Sequence, residues 1–374
     1  MKWKVPFFDL NFDQKEILAV NAVIKSNWIT AGPKINKFEK NFSDYLGFKK
    51  GAVAVSSSTA ALHISLKALG VKKGDEVILP SLTFVSCANV ILHLGAKPVF
   101  SDISSNLDWS ICPKDVEKKI TARTKVIMVV HYAGYSCQMN KIKKIAKKYN
   151  IKIIEDCSHA IFSKYGNNYL GTIGDISCFS FFSNKNITTG EGGMIFSRNI
   201  QLTNKARSLR SHGITKNTYE RFVTSEIMYD VNMIGFNYRM DEIRASIGIE
   251  QLKKIDKFNK IRKKIVSEYR NIISNKFQNL EVPYIDRNEG AFHLFVILLP
   301  SYLNRDVFLK KMTKNKVQCS IHYTPIHHFK AYKNKKISLP RTDSISKRMV
   351  SLPLFPSMTK KQFNIVINSI EKSI

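Results

Sequence analysis

A single lysine, Lys185, stands in the run SFFSNKNITTGEGGM (residues 180–194), between a strand-like segment and a stretch holding three glycines. A buried or constrained ammonium loses hydration, its pKa falls, and it becomes a usable amine nucleophile. A loop lysine is otherwise simply solvated, so this residue is informative only with partners. Four other places supply them. Ser56, Ser57, Ser58 and Thr59 lead into a helix-like stretch, where hydroxyls and free N–H groups either cap the helix or bind an anion. Phe84 lies at a strand-to-helix junction, as core or as a stacking platform for a planar ligand. Glu155 and Asp156 end a strand-like run, with His159 three residues after Asp156. Asp156 either caps the next turn or is a buried carboxylate opposite a cationic ring nitrogen. Ser180 ends the strand that leads to Lys185.

Together these fragments describe one ligand. Ser58, Thr59 and Ser180 suit a phosphate, and Phe84 suits a flat ring. Asp156 suits a pyridinium nitrogen, and Lys185 suits an aldehyde that an amine can capture. Pyridoxal 5′-phosphate (PLP) has all four features. In this reading Asp156 keeps the ring nitrogen protonated, so that the ring accepts electrons from a substrate carbon. Lys185 holds the cofactor as an imine, is displaced by a substrate amine and then shuttles a proton. The glycines of GEGG permit the close turns that fix its approach.

These residues need elements to hold them. From residue 51, short β-branched runs alternate with amphipathic stretches. GAVAV, EVILP, KPVFSDI, KVIMVVH, IKIIED and ISCFSFF read as strands, and TAALHISLKALG and FVSCANVILHLG as helices. Such alternation predicts βαβ units and an α/β fold with a large, mostly parallel sheet covered on both faces, with ligands beyond the strands' carboxyl ends. A long helical pattern spans about residues 240–270. After it, FHLFVILL and VQCSIHY read as strands. The expected division is a large ligand-binding domain over 1–250 and a smaller C-terminal α/β domain over 251–374.

The chain has 374 residues, 44% of them hydrophobic, and a formal net charge of +30. No apolar run is long enough for a membrane span. MKWKVPFFDL lacks the features of a signal peptide, so a cytoplasmic location without membrane insertion is expected. Six cysteines without a CxxC pair read as reduced core thiols. The lysines recur along helical stretches such as MNKIKKIAKKYN and read as solvated faces, not as a nucleic-acid surface. His322, His327 and His328 in IHYTPIHHF have no cysteine or carboxylate suitably placed in the same segment, so no metal is expected. No GxSxG elbow supports a serine hydrolase.

The order of motifs resembles the DegT/StrS-type family of nucleotide-sugar aminotransferases nearly end to end. SNWITAGPKINKFE (26–39), AVSSSTAALH (54–63), GDEVILPSLTFVSCANVI (74–91), VVHYAG (129–134), IIEDCSHA (153–160), FSFFSNKNITTGEGG (179–193), GFNYRMDEIRASIGIEQL (235–252) and SLPLFP (351–356) carry it. The resemblance implies a fold-type-I PLP aminotransferase working as a homodimer with active sites at the subunit interface. It implies Lys185 as the imine lysine, Asp156 at the pyridine nitrogen and Phe84 stacked on the ring. His159 would lie near the ring or its phenolic oxygen. Ser58, Thr59 and Ser180 would hold the phosphate, joined by Asn237 from the neighbouring subunit. His322 and Tyr323 would lie near the sugar. A branch of the family carries histidine in place of the lysine and dehydrates its substrate, so Lys185 favours transamination. Ser58, WITAGP, HYAG and SLPLFP resemble the enzymes that make UDP-4-amino-4-deoxy-L-arabinose, whereas Asn237-Tyr-Arg-Met is similar to other branches.

The expected reaction moves the amine of L-glutamate to a keto group of a nucleotide-linked sugar, at C4 of a 4-keto-6-deoxy hexose, for cell-surface glycans. The alternatives are C3 amination, a sugar without a nucleotide, or a silent PLP-fold binding protein.

Overall fold

The β-branched runs become buried strands in the structure, a computed structural model that describes residues 2–216, 218–225, 228–287, 289–332 and 337–374. Seven strands share one sheet: β1 (Ala52–Val55), β2 (Glu76–Pro80), β3 (Lys97–Ser101), β4 (Thr124–Val130), β5 (Lys152–Asp156), β6 (Ile176–Ser180) and β7 (Gly193–Phe196). Their spatial order is β1-β7-β6-β5-β4-β2-β3. The pairs from β3 to β6 are parallel, and β7 runs antiparallel to both its neighbours. The sheet is thus large, mixed and mostly parallel.

Parallel strands need helical crossovers, and those helices cover both faces. Along β2, Val77 and Leu79 pack into one core while Ile78 packs into another. The Ser58–Ala68 helix lies over the first face and contributes Leu62 and Leu66. The Met139–Tyr149 helix covers the second with Met139, Ile142, Ile145 and Ala146. Its five lysines all face outward, as expected of a solvated face.

Beyond residue 255 a second core forms around an antiparallel pair, Phe295–Leu298 with Met349–Leu352, and the helices Ile255–Lys276, Arg305–Lys314 and Lys360–Glu371. Val5 and Phe7 join this core, and Val5 bridges Val317.

Two elements differ from the sequence reading. The pattern over 240–270 is two helices, Glu242–Leu252 and Ile255–Lys276. At the break, the Lys254 ammonium is held 2.6 Å from Glu16 and 2.9 Å from Asp13. The segment 317–323 is not a continuous strand. Val317 and Ser320 form only isolated bridges, to Val5 and Ser351. No helix among the described residues is long and apolar enough to cross a membrane.

Candidate active site

The carboxyl ends of β1, β2, β5 and β6 open on one cavity of about 350 Å³. Its walls include Ser58, Thr59, Phe84, Asp156, His159, Ser180, Lys185, His322 and Tyr323. These residues lie up to 265 positions apart in sequence; the sheet gathers those from Ser58 to Lys185 at its strands' carboxyl ends, and the segment before Ile326 brings His322 and Tyr323 to the same cavity.

At one end stands a helix N-terminus. Ser57 caps the Ser58–Ala68 helix, its hydroxyl accepting the Ala60 N–H at 3.1 Å. Ser58 and Thr59 occupy the first turn, whose amides have no partner within the helix. The Ser58 and Ser158 hydroxyls lie 2.8 Å apart. Free amides, hydroxyls and the positive helix end make a site for a phosphate. Ser180, at the end of β6, lines the same cavity.

Gly193 explains part of the glycine run. A Cβ there would lie 2.6 Å from the Ser57 carbonyl and 2.8 Å from the Ser58 nitrogen. Only glycine lets β7 pass this close to the turn before the helix. Gly190 adopts φ +79°, which an L side chain resists.

Asp156 is buried at the end of β5. One carboxylate oxygen accepts the Ser158 N–H at 2.9 Å, and the other accepts the Cys87 thiol at 3.2 Å. Both donors are neutral, which suits a carboxylate that receives a cationic N–H from a ligand. The adjacent Glu155 points away, fully buried. It accepts backbone N–H groups of Gly171 (2.9 Å), Ile173 (2.8 Å) and Gly174 (2.6 Å), and it lies 3.0 Å from His131 Nε2. Burial works to raise its pKa, but the His131 bond and these backbone donors hold it below the usual value.

The Lys185 N–H closes a turn onto the Phe182 carbonyl at 2.9 Å. Burial lowers the Lys185 ammonium to about 8, against the opposing pull of the Asp156 carboxylate and Cys87. A free amine fraction is therefore present near neutral pH.

His159 bonds the Tyr323 hydroxyl at 2.8 Å. Burial, then Lys185 and His322, drive His159 well below its ordinary value. His322 falls to about 3, through burial and then Lys185, and its Nδ1 lies 2.9 Å from the Ser351 hydroxyl. Phe84 is half exposed, its ring centroid 5.8 Å from that of Tyr323.

Asn237 is the exception. It is exposed, pairs with Ser211 and does not line the cavity of this chain. The sequence reading passed over Ser158 and Cys87, which hold Asp156, and His293, whose ring lies 4.4 Å from that of His159. Ser158 had a signal, since a residue two beyond a strand-end Asp closes an Asx-type turn. Cys87 and His293 had none.

The cavity offers a helix-end anion site, a buried carboxylate, an aromatic wall and an amine of lowered pKa. Comparison with known proteins points to a family. The family model described as DegT/DnrJ/EryC1/StrS aminotransferase family matches residues 11–371. The spore coat polysaccharide biosynthesis protein SpsC of Bacillus subtilis is 35% identical, across 96% of this chain and 94% of its own. PseC of Helicobacter pylori, an aminotransferase involved in the biosynthesis of pseudoaminic acid, superposes with a TM-score of 0.93. It is 28% identical, covering 100% of this chain and 99% of its own. The PLP form of Spr1654 from Streptococcus pneumoniae gives a TM-score of 0.89 at 27% identity, covering 100% and 99%. This chain belongs to the DegT/DnrJ/EryC1/StrS aminotransferase family.

Proposed function

We propose that this chain is a PLP-dependent sugar aminotransferase. The amine of L-glutamate passes to the C4 keto group of a nucleotide-linked 4-keto-6-deoxy hexose that feeds cell-surface glycans. The observation that carries the reading is the meeting of Lys185, Asp156 and the Ser58–Thr59 helix end in one cavity. Membership of an aminotransferase family supports the reaction type. SpsC and PseC, by name a polysaccharide and a pseudoaminic acid biosynthesis protein, support a sugar acceptor.

The bound cofactor supplies an electron sink that stabilises negative charge at the carbon carrying the amine. The chain's residues do the rest. The first-turn amides, Ser58, Thr59 and Ser180 hold the phosphate. Asp156, kept in place by Ser158 and Cys87, holds a proton on the ring nitrogen. Phe84, on the cavity wall, would face the ring. Lys185 would hold the cofactor's aldehyde carbon, and its free amine would take a proton from the substrate carbon and return one. An amine with a pKa of about 8 can do both near neutral pH.

The proposal includes a homodimer in which Asn237 serves the neighbouring subunit's phosphate. Its exposure, away from its own chain's cavity, supports this reading. So do Met228 and Ile234, each more than four-fifths exposed in the single chain. The charge of +30 favours the approach of a pyrophosphate-bearing substrate.

The test is the visible spectrum of the purified protein before and after L-glutamate. A lysine-bound cofactor band that converts to the aminated form is expected, followed by turnover on one member of a keto-sugar nucleotide panel. A protein that takes up no PLP would sink the proposal.

A further inference from the structure

Away from the cavity, the fold builds a second cluster from residues far apart in sequence. Asp343 sits in the first turn of the Pro340–Ser346 helix. Its Oδ1 lies 2.9 Å from Nε2 of His327 and 2.7 Å from Nε2 of His328. The three ligand atoms all fall within 4.8 Å of one another. The 3₁₀ turn Ile326–His328 aims two successive imidazoles at one carboxylate. The sequence reading found no carboxylate near these histidines, because Asp343 arrives from a different element. His322 takes no part in the cluster, since it lines the cavity.

We propose that His327, His328 and Asp343 form a binding site for a divalent transition-metal ion of the zinc class. Two imidazoles and one carboxylate are a ligand set that zinc accepts, with water in the remaining position. Both rings now point Nε2 at Asp343, and an ion between them takes the place of those two N–H bonds. Each ring then carries its proton on Nδ1. For His327 an acceptor already waits, because Nδ1 lies 2.7 Å from the Ser81 hydroxyl. A ligating histidine needs such a partner to fix its tautomer and orientation. The same Ser81 oxygen accepts the His327 backbone N–H at 3.2 Å, so ring and turn are anchored together. His327 is buried, while His328 and Asp343 are open to solvent, which leaves an entry path.

The placement gives the ion a structural consequence. Ser81 follows β2 and precedes Thr83 and Phe84, and its carbonyl accepts the Ile326 N–H at 2.9 Å. Tyr323 lies three residues before Ile326. An ion on His327, His328 and Asp343 therefore clamps together the two segments that present Phe84 and Tyr323 to the cavity.

The test uses the full chain with PLP bound, free of any affinity tag and treated with a chelator. Zn²⁺ is titrated by calorimetry and Co²⁺ by its visible ligand-field absorption. One ion per chain is expected, with tetrahedral Co²⁺ bands and a Zn²⁺-dependent rise in Tm. Ser81→Ala should weaken binding about 10–100-fold, and His328→Gln and Asp343→Asn at least as much. These two exposed positions should leave the folded spectrum and the PLP band unchanged. No stoichiometric binding, or binding equal in His328→Gln and Asp343→Asn, would overturn the site. Neither result bears on the aminotransferase reading.

Discussion

His159 Nε2 lies 2.8 Å from the Tyr323 hydroxyl, and the far side of the ring fixes the direction of that bond. The Ala133 backbone N–H points at His159 Nδ1 across 3.3 Å, so Nδ1 accepts and the ring proton sits on Nε2. Tyr323 therefore accepts from His159. Burial pushes the Tyr323 pKa up, so the phenol keeps its own proton. That proton is left to point into the cavity that Tyr323 lines.

Tyr323→Phe should then keep the PLP band but lose a donor to the bound ligand. A hydrogen bond to a charged group contributes about 1.5–3 kcal/mol, so kcat/KM should fall about 10–100-fold. Because His159 stays neutral, the pH profile of the parent should show no limb near 6–7 from this ring. Unchanged kinetics in Tyr323→Phe would remove the role.

Lys185 gives a pH prediction with a definite sign. Its ammonium titrates at about 8, lowered by burial. The reactive amine fraction grows as pH rises through that value. In stopped-flow measurements the rate at which cofactor-free protein captures PLP should increase with pH, with its midpoint near 8 and a plateau beyond it. Asp156 holds the ammonium up, so Asp156→Asn should move the inflection to lower pH. Lys185→Ala should form no lysine-bound band and no product at any pH.

Glu155 and Asp156 are neighbours with opposite duties. Glu155 is the sole side-chain acceptor for the Gly171, Ile173 and Gly174 amides among the described bonds. Glu155→Ala strands the buried Gly171 donor, at about 1–3 kcal/mol, and leaves the part-buried Ile173 and Gly174 donors to water, so chemical denaturation should show a loss of at least about 1 kcal/mol. The folded pKa of Glu155 lies below its ordinary value near 4.5. Its stabilisation is full above that value and is lost as pH falls through the lower folded pKa. The variant should therefore have a shallower acid limb of stability than the parent.

Much of this was legible in the sequence, for a physical reason. Each site residue except Asn237, His322 and Tyr323 sits within a few positions of a strand's carboxyl end, and strands announce themselves through β-branched runs. What escaped depends on distant partners. The segment 317–323 has a strand-like composition, but only Val317 and Ser320 find neighbours to bridge. The helix break at residues 253–254 carries no glycine or proline; Glu16 and Asp13, over 230 residues away, hold Lys254 there. Cys87 reaches Asp156 across 69 positions, and Asp343 meets His327 only once the chain has folded. Nothing local marks either pair.

The glycine run offers two substitutions that separate strain from fit. Gly190 has φ +79° but open space around a Cβ, so Gly190→Ala should cost only about 1–2 kcal/mol of backbone strain. Cofactor affinity should barely change. Gly193 has the opposite problem, since its Cβ would press into backbone atoms of Ser57 and Ser58 at 2.6–2.8 Å. Backbone cannot swing aside as a side chain does, so β7 or the helix N-terminus must shift, at about 1–3 kcal/mol. The amides that this shift displaces are the proposed phosphate ligands. Gly193→Ala should therefore raise the dissociation constant for PLP about tenfold or more, read by equilibrium dialysis, alongside any drop in Tm. Equal PLP affinities in the two variants would mean that the Ser57–Ser58 turn does not hold the phosphate.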